Sequence, residues 1–376
     1  MRSIFKILEM KDLRYAGSDH TFWFVINEST GEPLHEVCGF LCMKSIEGKL
    51  KSLSTKNYAS DLKLFWEEFV IPNQEAHKDK NWSWKVLSDQ DLVEYFHFRK
   101  KQGLTGNSIQ RQVAAVQSFY DWAYQSGIID LPREVEVRFD LAELSSKETS
   151  IRSQYITKKE FTKVLSGIPA KSRYLKLRNK IALLFGYECG FRSGELVRES
   201  NLNVKWLKDQ IKKSEHEGKL SFEMPVVGKR NKSRQVLVTP SLFQQLDIFL
   251  NDKKLRGAWS DDLPFFLDGN GKPIKTSNTK FGSDLFTAAR KNAGLYGDTW
   301  GHRHFHSLRH TFATNLAGWC YEKNKSWMTI LPYRMGHTDW TTSLIYVEAD
   351  ALLNAREKQL QDLKASGKLR RYRKNG

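Results

Sequence analysis

The stretch HSLRHTFAT, residues 306–314, places His306 and Arg309 three positions apart. Because residues three apart share one face of a helix, both side chains could donate to the same phosphate group. His304 and His310 lie beside them, and a metal site is the alternative interpretation of so many histidines. No HExxH pattern, cysteine pair or flanking carboxylate accompanies them, so the pattern favours phosphate binding over a metal.

An arginine upstream follows a predicted helix. Residues 173–189 have helical periodicity and end at Gly190, a residue type favoured after a helix C-terminus. Arg192 comes directly after this stop, and Glu195 could hold its guanidinium or cap the next helix. Taken alone, such an arginine is more often part of a surface salt bridge than a phosphate ligand.

Between these two motifs the sequence predicts a β-hairpin with a basic tip. Residues 220–227 and 234–239 indicate strands, and Gly228 and Asn231 between them favour a tight turn. Charged residues are ordinary in turns, but a basic tip can also enter a DNA groove. We therefore expect DNA contacts from three cations at or beside the tip, Arg230, Lys232 and Arg234.

Downstream of the histidines, Gly336 and His337 precede a short predicted helix that contains Tyr346. A lone tyrosine in such a helix is usually a core residue. A second tyrosine, Tyr333, lies shortly before the glycine. Either phenol is a possible nucleophile on the sequence pattern alone.

In their order and spacing, these motifs resemble the tyrosine recombinase (phage integrase) family over residues 157–349. An arginine, a hairpin lysine, HxLRH, a GH pair and a tyrosine follow one another as in that family. The resemblance implies that Tyr346 attacks a scissile phosphate and that Glu195 and His310 support the site. The residues that it places around the phosphate are Arg192, Lys229, His306, Arg309 and His337.

The family's spacing decides between neighbouring candidates. Lys229 is preferred to Lys232 because the family's lysine directly follows the glycine that closes the first strand. Tyr346 is preferred to Tyr333 because the family's nine-residue step from the histidine of the GH pair ends there.

The family fold implies a mainly α protein with a small β-sheet (α+β), in which a helical core-binding domain precedes the catalytic domain. The sequence departs from the family at Arg334 and Met335, where leucines are usual, and in a basic insertion around residues 205–219. No catalytic group is removed by either departure, but the insertion leaves the geometry of the hairpin open.

The resemblance also implies an activity, a site-specific recombinase or integrase that cleaves and rejoins duplex DNA through a 3′-phosphotyrosyl intermediate. Such an enzyme of a mobile element needs no metal or nucleotide cofactor. It acts as a homotetramer on synapsed DNA, with accessory DNA-bending proteins as possible partners. The alternatives are a type IB-like DNA topoisomerase and a non-catalytic DNA-binding regulator with the same fold.

The composition agrees with a DNA-binding protein. The 60 lysines and arginines exceed the 43 acidic residues, and the formal charge of +17 predicts attraction to a polyanion. No apolar run approaches the ~20 residues of a membrane span, and the start lacks an apolar signal core. Four cysteines without CxxC spacing indicate reduced thiols. We expect a cytoplasmic protein that is nucleoid-associated when bound to DNA.

Changes in periodicity divide the chain into four predicted segments. Strands at 21–27 and 35–41 would form the first, which could contact accessory DNA sites. The segments are a small β element (1–50), the core-binding domain (51–130), a linker (131–156) and a catalytic domain (157–376) with a C-terminal helix and a basic tail.

Two further features concern assembly on DNA. In the core-binding domain, Arg99, Lys100 and Arg111 would form one wall of a DNA clamp, or else a solvated face. In the C-terminal helix, a leucine stripe that includes Leu360 and Leu363 is predicted to pack on a neighbouring protomer.

Overall fold

The computed structural model describes residues 3–48, 52–78, 82–104, 106–137, 151–228 and 231–365. The chain divides into two compact units, residues 1–145 and 146–376. Helices predominate, and each unit contains one two-stranded antiparallel sheet. The predicted mainly helical α+β class is confirmed.

The first unit combines a β-hairpin with helices. A π-helical segment, Trp66–Val70, joins its second and third helices, and a 3-10 turn, Trp84–Val86, precedes the fourth. The elements are β1 (Phe5–Tyr15), β2 (Ser18–Asn27), α1 (His35–Ile46), α2 (Ser52–Phe65), α3 (Ile71–Ala76), α4 (Asp89–Lys101) and α5 (Gly106–Gln125).

The predicted strand at 35–41 is wrong, because these residues begin helix α1. Its buried residues, Val37, Phe40 and Leu41, recur at helical spacing rather than on alternate positions. They share one core with Trp23 of the hairpin and with the helices that follow. The predicted boundary near residue 50 therefore does not separate two cores, and strand β2 pairs with β1 instead.

The second unit contains the segments with the candidate catalytic residues. Its elements are α6 (Lys158–Ser166), α7 (Arg173–Cys189), α8 (Ser193–Leu196), α9 (Val204–His216), β3 (Phe222–Val227), β4 (Ser233–Val238), α10 (Pro240–Asn251), α11 (Phe281–Asn292), α12 (Asp298–Gly301), α13 (Phe305–Glu322), α14 (Trp327–Met335), α15 (Leu344–Leu353) and α16 (Glu357–Ala365).

Local sequence signals account for the ends of several of these helices. The hydroxyl of Thr157 accepts from the backbone N–H of Glu160, whose carboxylate accepts in return, and this capping box starts α6. Helix α7 ends at Gly190, whose φ of 65° is left-handed. A β-carbon on Gly190 would lie 2.5 Å from the ring of Phe312, so a side chain there would be both strained and crowded.

The basic insertion is largely a helix rather than a loop. Helix α9 covers Val204–His216 and buries Val204, Leu207 and Ile211 on one side. The hairpin after it keeps a regular register, from Phe222 opposite Val238 to Val227 opposite Ser233. The insertion therefore leaves the hairpin intact.

The C-terminal region also differs from expectation. Where a C-terminal helix was predicted, two helices, α15 and α16, are separated by a turn in which Ala355 has a φ of 49°. Leu363 is buried against Ala317, Leu331 and other residues of its own chain. In the single chain this residue therefore packs in cis, and packing on a neighbouring protomer stays a prediction; the side chain of Leu360 is outside the described part.

The predicted linker is described only at its two ends. Val135 and Val137 pack against the core of the first unit, and Ile151 and Ile156 are buried in the second. Residues 138–150 and the basic tail at 366–376 lie outside the described residues. No described helix has the length and apolar character needed to cross a membrane.

Candidate functional site

A buried carboxylate, Glu195, lies at the centre of the site. The turn at Gly190 leads into helix α8, which positions Arg192 at its N-terminal end. Arg192 donates to Glu195 Oε1 from Nη1 at 2.8 Å and to Oε2 from its backbone N–H at 2.9 Å. Arg234 of β4 donates to the same two oxygens, at 2.9 and 2.7 Å. The expected Arg192–Glu195 pair is thus present, with a second arginine on the same carboxylate.

The surrounding cations keep Glu195 ionised. Burial alone would raise the pKa of its carboxyl group, but the hydrogen bonds and charge of Arg234, together with the charge of Arg309, lower it to about 2. One carboxylate thus faces three guanidinium groups, those of Arg192, Arg234 and Arg309. The site keeps an excess of positive charge where an anion such as a phosphate could bind.

Arg309 connects two helix ends. It lies on α13, is fully buried, and donates to the backbone carbonyls of Gly190 and Met335. These carbonyls belong to the C-terminal ends of α7 and α14, where the helix dipoles are negative. Burial and the charges of Arg192 and Arg234 lower the pKa of Arg309 to about 9, so it remains a cation at neutral pH.

Two histidines one helical turn apart line the same side of α13. The rings of His306 and His310 lie 4.6 Å apart, and His310 Nδ1 lies 3.1 Å from the hydroxyl oxygen of Tyr346. Burial, followed by neighbouring positive charge, lowers the pKa of His306 to about 4 and that of His310 to about 3. Both rings are therefore neutral at pH 7 and able to accept a hydrogen bond.

The contact between His310 and Tyr346 was missed in the sequence, where His310 was given a supporting role. The four-residue step from His306 to His310 was the available signal, because residues four apart share a helix face. The pattern could not show which of the two rings meets the tyrosine, since that depends on how α15 packs on α13.

The GH pair and the tyrosine come together as predicted. Helix α14 ends at Gly336, with a left-handed φ of 68°, and His337 Nδ1 lies 2.8 Å from the hydroxyl of Ser343. The rings of His337 and Tyr346 are stacked, with their centroids 6.3 Å apart. Burial lowers the pKa of His337 to about 4.

The two candidate nucleophiles occupy different surroundings. Tyr346 is 6% exposed and Tyr333 is 54% exposed. Burial raises the pKa of the Tyr346 phenol, and the charges of Arg309 and Arg192 act against that rise. Tyr333 instead lies against the side chain of Arg334, which bonds to Glu223 of the hairpin. The unusual Arg334 therefore ties α14 to strand β3.

The structure describes the residues before and after the first two cations of the hairpin tip. Lys229 and Arg230 lie outside the described residues. Arg198, which was not predicted from the sequence, donates to the carbonyl of Gly228 at 3.0 Å and to the side chain of Asn231 at 2.7 Å. Lys232 Nζ lies 3.3 Å from the hydroxyl of Thr338, next to His337.

Two of the residues expected to contact DNA are buried against partners within the protein. Arg99 is buried and donates to Glu68 and Gln102, and Arg234 is buried on Glu195. Their burial favours a role inside the fold over direct phosphate contact. Arg111 donates two hydrogen bonds to the carboxylate of Asp61, at 2.9 and 2.8 Å. Lys100 is half-buried on α4.

Metal ligation was the alternative for the histidine-rich segment. Within the described ranges, no three His, Cys, Asp or Glu side chains are grouped so that they could hold a metal ion. The arrangement is instead one of arginines, neutral histidines and a buried phenol.

The family model described as "Phage integrase family" matches residues 154–352, and that of the "Phage integrase, N-terminal SAM-like domain" matches residues 39–127. The chain belongs to the phage integrase family. The second match begins within helix α1, in agreement with the helical character of that segment.

Similar proteins and structures are recombinases. The chain is 25% identical to the tyrosine recombinase XerC of Alcanivorax borkumensis over 71% of this chain and 77% of that protein. Its fold is similar to the XerH site-specific recombinase bound to difH substrate, with a TM-score of 0.54, 18% identity and coverage of 78% and 75%. It is also similar to a lambda integrase tetramer bound to a Holliday junction, with a TM-score of 0.50, 14% identity and coverage of 81% and 77%.

Replacing Glu195 with glutamine should destabilise the second unit in a pH-dependent way. The pKa of Glu195 is about 2 in the folded chain, below the unfolded value of ~4.3, so ionisation stabilises the fold above about pH 5 by about 3 kcal/mol. That contribution is lost as the pH falls through the folded pKa. Chemical denaturation of wild type and Glu195→Gln should give free energies of unfolding that converge on acidification, and a constant difference would contradict the prediction.

Proposed function

We propose that this chain, a tyrosine-type site-specific DNA recombinase, cleaves and rejoins duplex DNA with Tyr346 as the nucleophile. The observation that carries the assignment is the contact of the Tyr346 hydroxyl with His310, beside the cluster of arginines. The phenol oxygen forms a bond to the phosphorus while the bond from phosphorus to the 5′ oxygen breaks. The products are a 3′-phosphotyrosyl bond and a free 5′-hydroxyl.

The arginines make the phosphate open to attack. A phenol with a pKa near ~10 is disfavoured as phenolate at pH 7 by about three units, or about 4 kcal/mol. Arg192 and Arg309 supply positive charge for the non-bridging oxygens, which would otherwise repel the phenolate, and stabilise the charge of the pentacovalent state. The excess of arginine over carboxylate at Glu195 supports this role.

The proton of Tyr346 requires an acceptor within hydrogen-bond distance. The resemblance places both His306 and His337 beside the phosphate, and the sequence does not decide which of them accepts this proton. The geometry supports His310 as the first acceptor, because its Nδ1 lies 3.1 Å from the phenol oxygen. We place His306 beside the phosphate and keep His337 as a donor to it.

The leaving 5′ oxygen requires an acid. As an alkoxide it resembles deprotonated water, with a pKa near ~15.7, so it must take a proton as its bond breaks. We assign that proton to Lys229. Because the phosphotyrosyl bond conserves the energy of the diester, a 5′-hydroxyl from a second duplex can reverse the reaction without a metal or nucleotide cofactor.

Duplex DNA is the partner, and we propose that a homotetramer carries out the exchange. Similarity to the lambda integrase tetramer on a Holliday junction supports that assembly. Accessory DNA-bending proteins and an association with the nucleoid remain predictions. The charge of +17 favours binding to such DNA.

Tyr346→Phe should bind DNA normally and form no covalent adduct, because it removes the attacking oxygen and keeps the packing of the ring. Tyr333→Phe, a matched change in an exposed tyrosine, should form the adduct at the wild-type rate. Denaturing gels with a labelled DNA site measure both. An adduct formed by Tyr346→Phe and absent in Tyr333→Phe would show that the nucleophile is misplaced.

On a DNA in which sulfur replaces the bridging 5′ oxygen, the cleaved strand leaves easily. On this substrate, His310→Asn should slow adduct formation more than His306→Asn does. With such a leaving group, removal of the phenolic proton becomes the demanding part of the step. Single-turnover rates over a range of pH give the comparison. A greater loss in His306→Asn would give the role of acceptor to His306.

Lys229→Ala should cleave ordinary DNA very slowly and sulfur-substituted DNA nearly as fast as wild type does. A thiolate leaving group has a pKa near ~8.5, some seven units below the alkoxide-like value, and needs little protonation. Arg309→Ala should show no such rescue, since it acts on the non-bridging oxygens. If sulfur substitution restored cleavage by Lys232→Ala and not by Lys229→Ala, the general acid would instead be Lys232, the lysine near Thr338.

A further inference from the structure

Arg234 is a buried arginine that the proposed chemistry does not use. It is 4% exposed, and its guanidinium lies over the ring of Phe191 at 5.9 Å. A β-carbon on Gly336 would lie 3.4 Å from Arg234 Cδ, so the side chain also packs against the turn that precedes His337. Arg234 thus contacts both the Arg192 segment and the histidine turn.

The bonds of Arg234 saturate the Glu195 carboxylate. Oε1 accepts from Nη1 of Arg234 and Nη1 of Arg192, and Oε2 accepts from Nη2 of Arg234 and the backbone N–H of Arg192. A carboxylate offers about four lone-pair sites for such bonds. All four are occupied, two of them by the fork of Arg234.

This saturation limits how Glu195 binds Arg192. Among the described residues, the Arg192 guanidinium makes one hydrogen bond, from Nη1 to an oxygen that it shares with Arg234. Its side chain is 34% exposed, while that of Arg234 is 2% exposed. Arg192 is therefore anchored at one corner, and its other donors are not taken up by the carboxylate.

We propose that Arg234 is a positioning residue which occupies Glu195 in a bidentate pair and so keeps the fork of Arg192 for the scissile phosphate. The inference rests on the proposed function of Arg192. Without Arg234, the freed carboxylate sites would accept a second N–H from Arg192, since a bidentate pair is the preferred geometry of arginine and carboxylate. Arg192 would then be neutralised within the protein.

The chemistry of the phosphate offers a test that a purely structural role would not pass. A methylphosphonate has a methyl group in place of one non-bridging oxygen and carries no charge. Attack on it needs less neutralisation by Arg192 than attack on a phosphodiester. A site in which Arg192 is sequestered should therefore favour the uncharged substrate, whereas a distorted site should lose activity on both.

The experiment compares Arg234→Met with wild type on the two substrates by single-turnover release of the 5′-hydroxyl strand. We expect Arg234→Met to cleave the phosphodiester about a hundredfold more slowly, the loss typical when one stabilising donor is removed. Its cleavage of the methylphosphonate should stay close to wild type. Arg234→Lys, which keeps the charge but lacks the fork, should lie between the two on the phosphodiester.

A matched control is Arg256→Met, because Arg256 is also buried and donates to the backbone carbonyls of Ser260, Leu263 and Pro264. This variant should lose stability without a preference between the substrates. A double variant, Arg234→Met with Glu195→Gln, replaces the carboxylate with a neutral amide that can still accept one bond from Arg192. It should recover part of the phosphodiester cleavage lost in Arg234→Met.

Equal slowing on both substrates by Arg234→Met, or no recovery in the double variant, would overturn the proposal. These outcomes are distinct from a failure of the proposed function, which would appear as cleavage of either substrate by Tyr346→Phe. Melting temperatures and DNA affinities of all the variants verify that each protein is folded and bound.

Discussion

The second unit depends on one buried negative charge. Glu195 would be costly to bury alone, and its buried partner Arg234 would be costly to bury without it. The hydrogen bonds between Arg234 and Glu195 fix the relative positions of helix α8 and strand β4. Arg309 lies close enough to contribute to the same charge balance, but it satisfies its own donors on helix-end carbonyls. The site is thus held together by its charges and yet keeps a positive excess.

Burial, with that positive excess added to it, explains why the histidines of the site are neutral. Each is buried beside arginines, and both effects disfavour an imidazolium. A neutral ring can accept a proton from a phenol, which a protonated ring cannot. The arginines that would bind the phosphate therefore add to the effect of burial, which keeps His306, His310 and His337 neutral at neutral pH.

Much of the fold followed from local signals in the sequence. The helix stop at Gly190 and the two strands of the β3–β4 hairpin each depend on a few neighbouring residues, and each appears where it was predicted. The segment at 35–41 was assigned wrongly because a short apolar run suits a strand and a buried helix equally well. Only its packing against Trp23 and the later helices decides between them.

The site was predictable in its residue types but not in its contacts. Motif order pointed to Arg192, His306, Arg309, His337 and Tyr346, and the second unit brings their segments together. The contacts of His310 were not visible, because they depend on how α15 packs on α13. Those of Arg234 were not visible, because a basic residue at the start of a strand resembles a surface cation. Whether it is buried depends on Glu195, which lies 39 positions earlier in the chain.

The two bonds of Arg309 to helix ends also join parts of the chain that are synthesised at different times. Its bond to Gly190 spans 119 positions, and Tyr346 lies further along the chain than either residue. During synthesis, the arginines therefore emerge from the ribosome well before the phenol that they serve. Until α15 is made, a growing chain carries the arginines of the site without the proposed nucleophile. Tyr346 joins them only when α15 packs on α13.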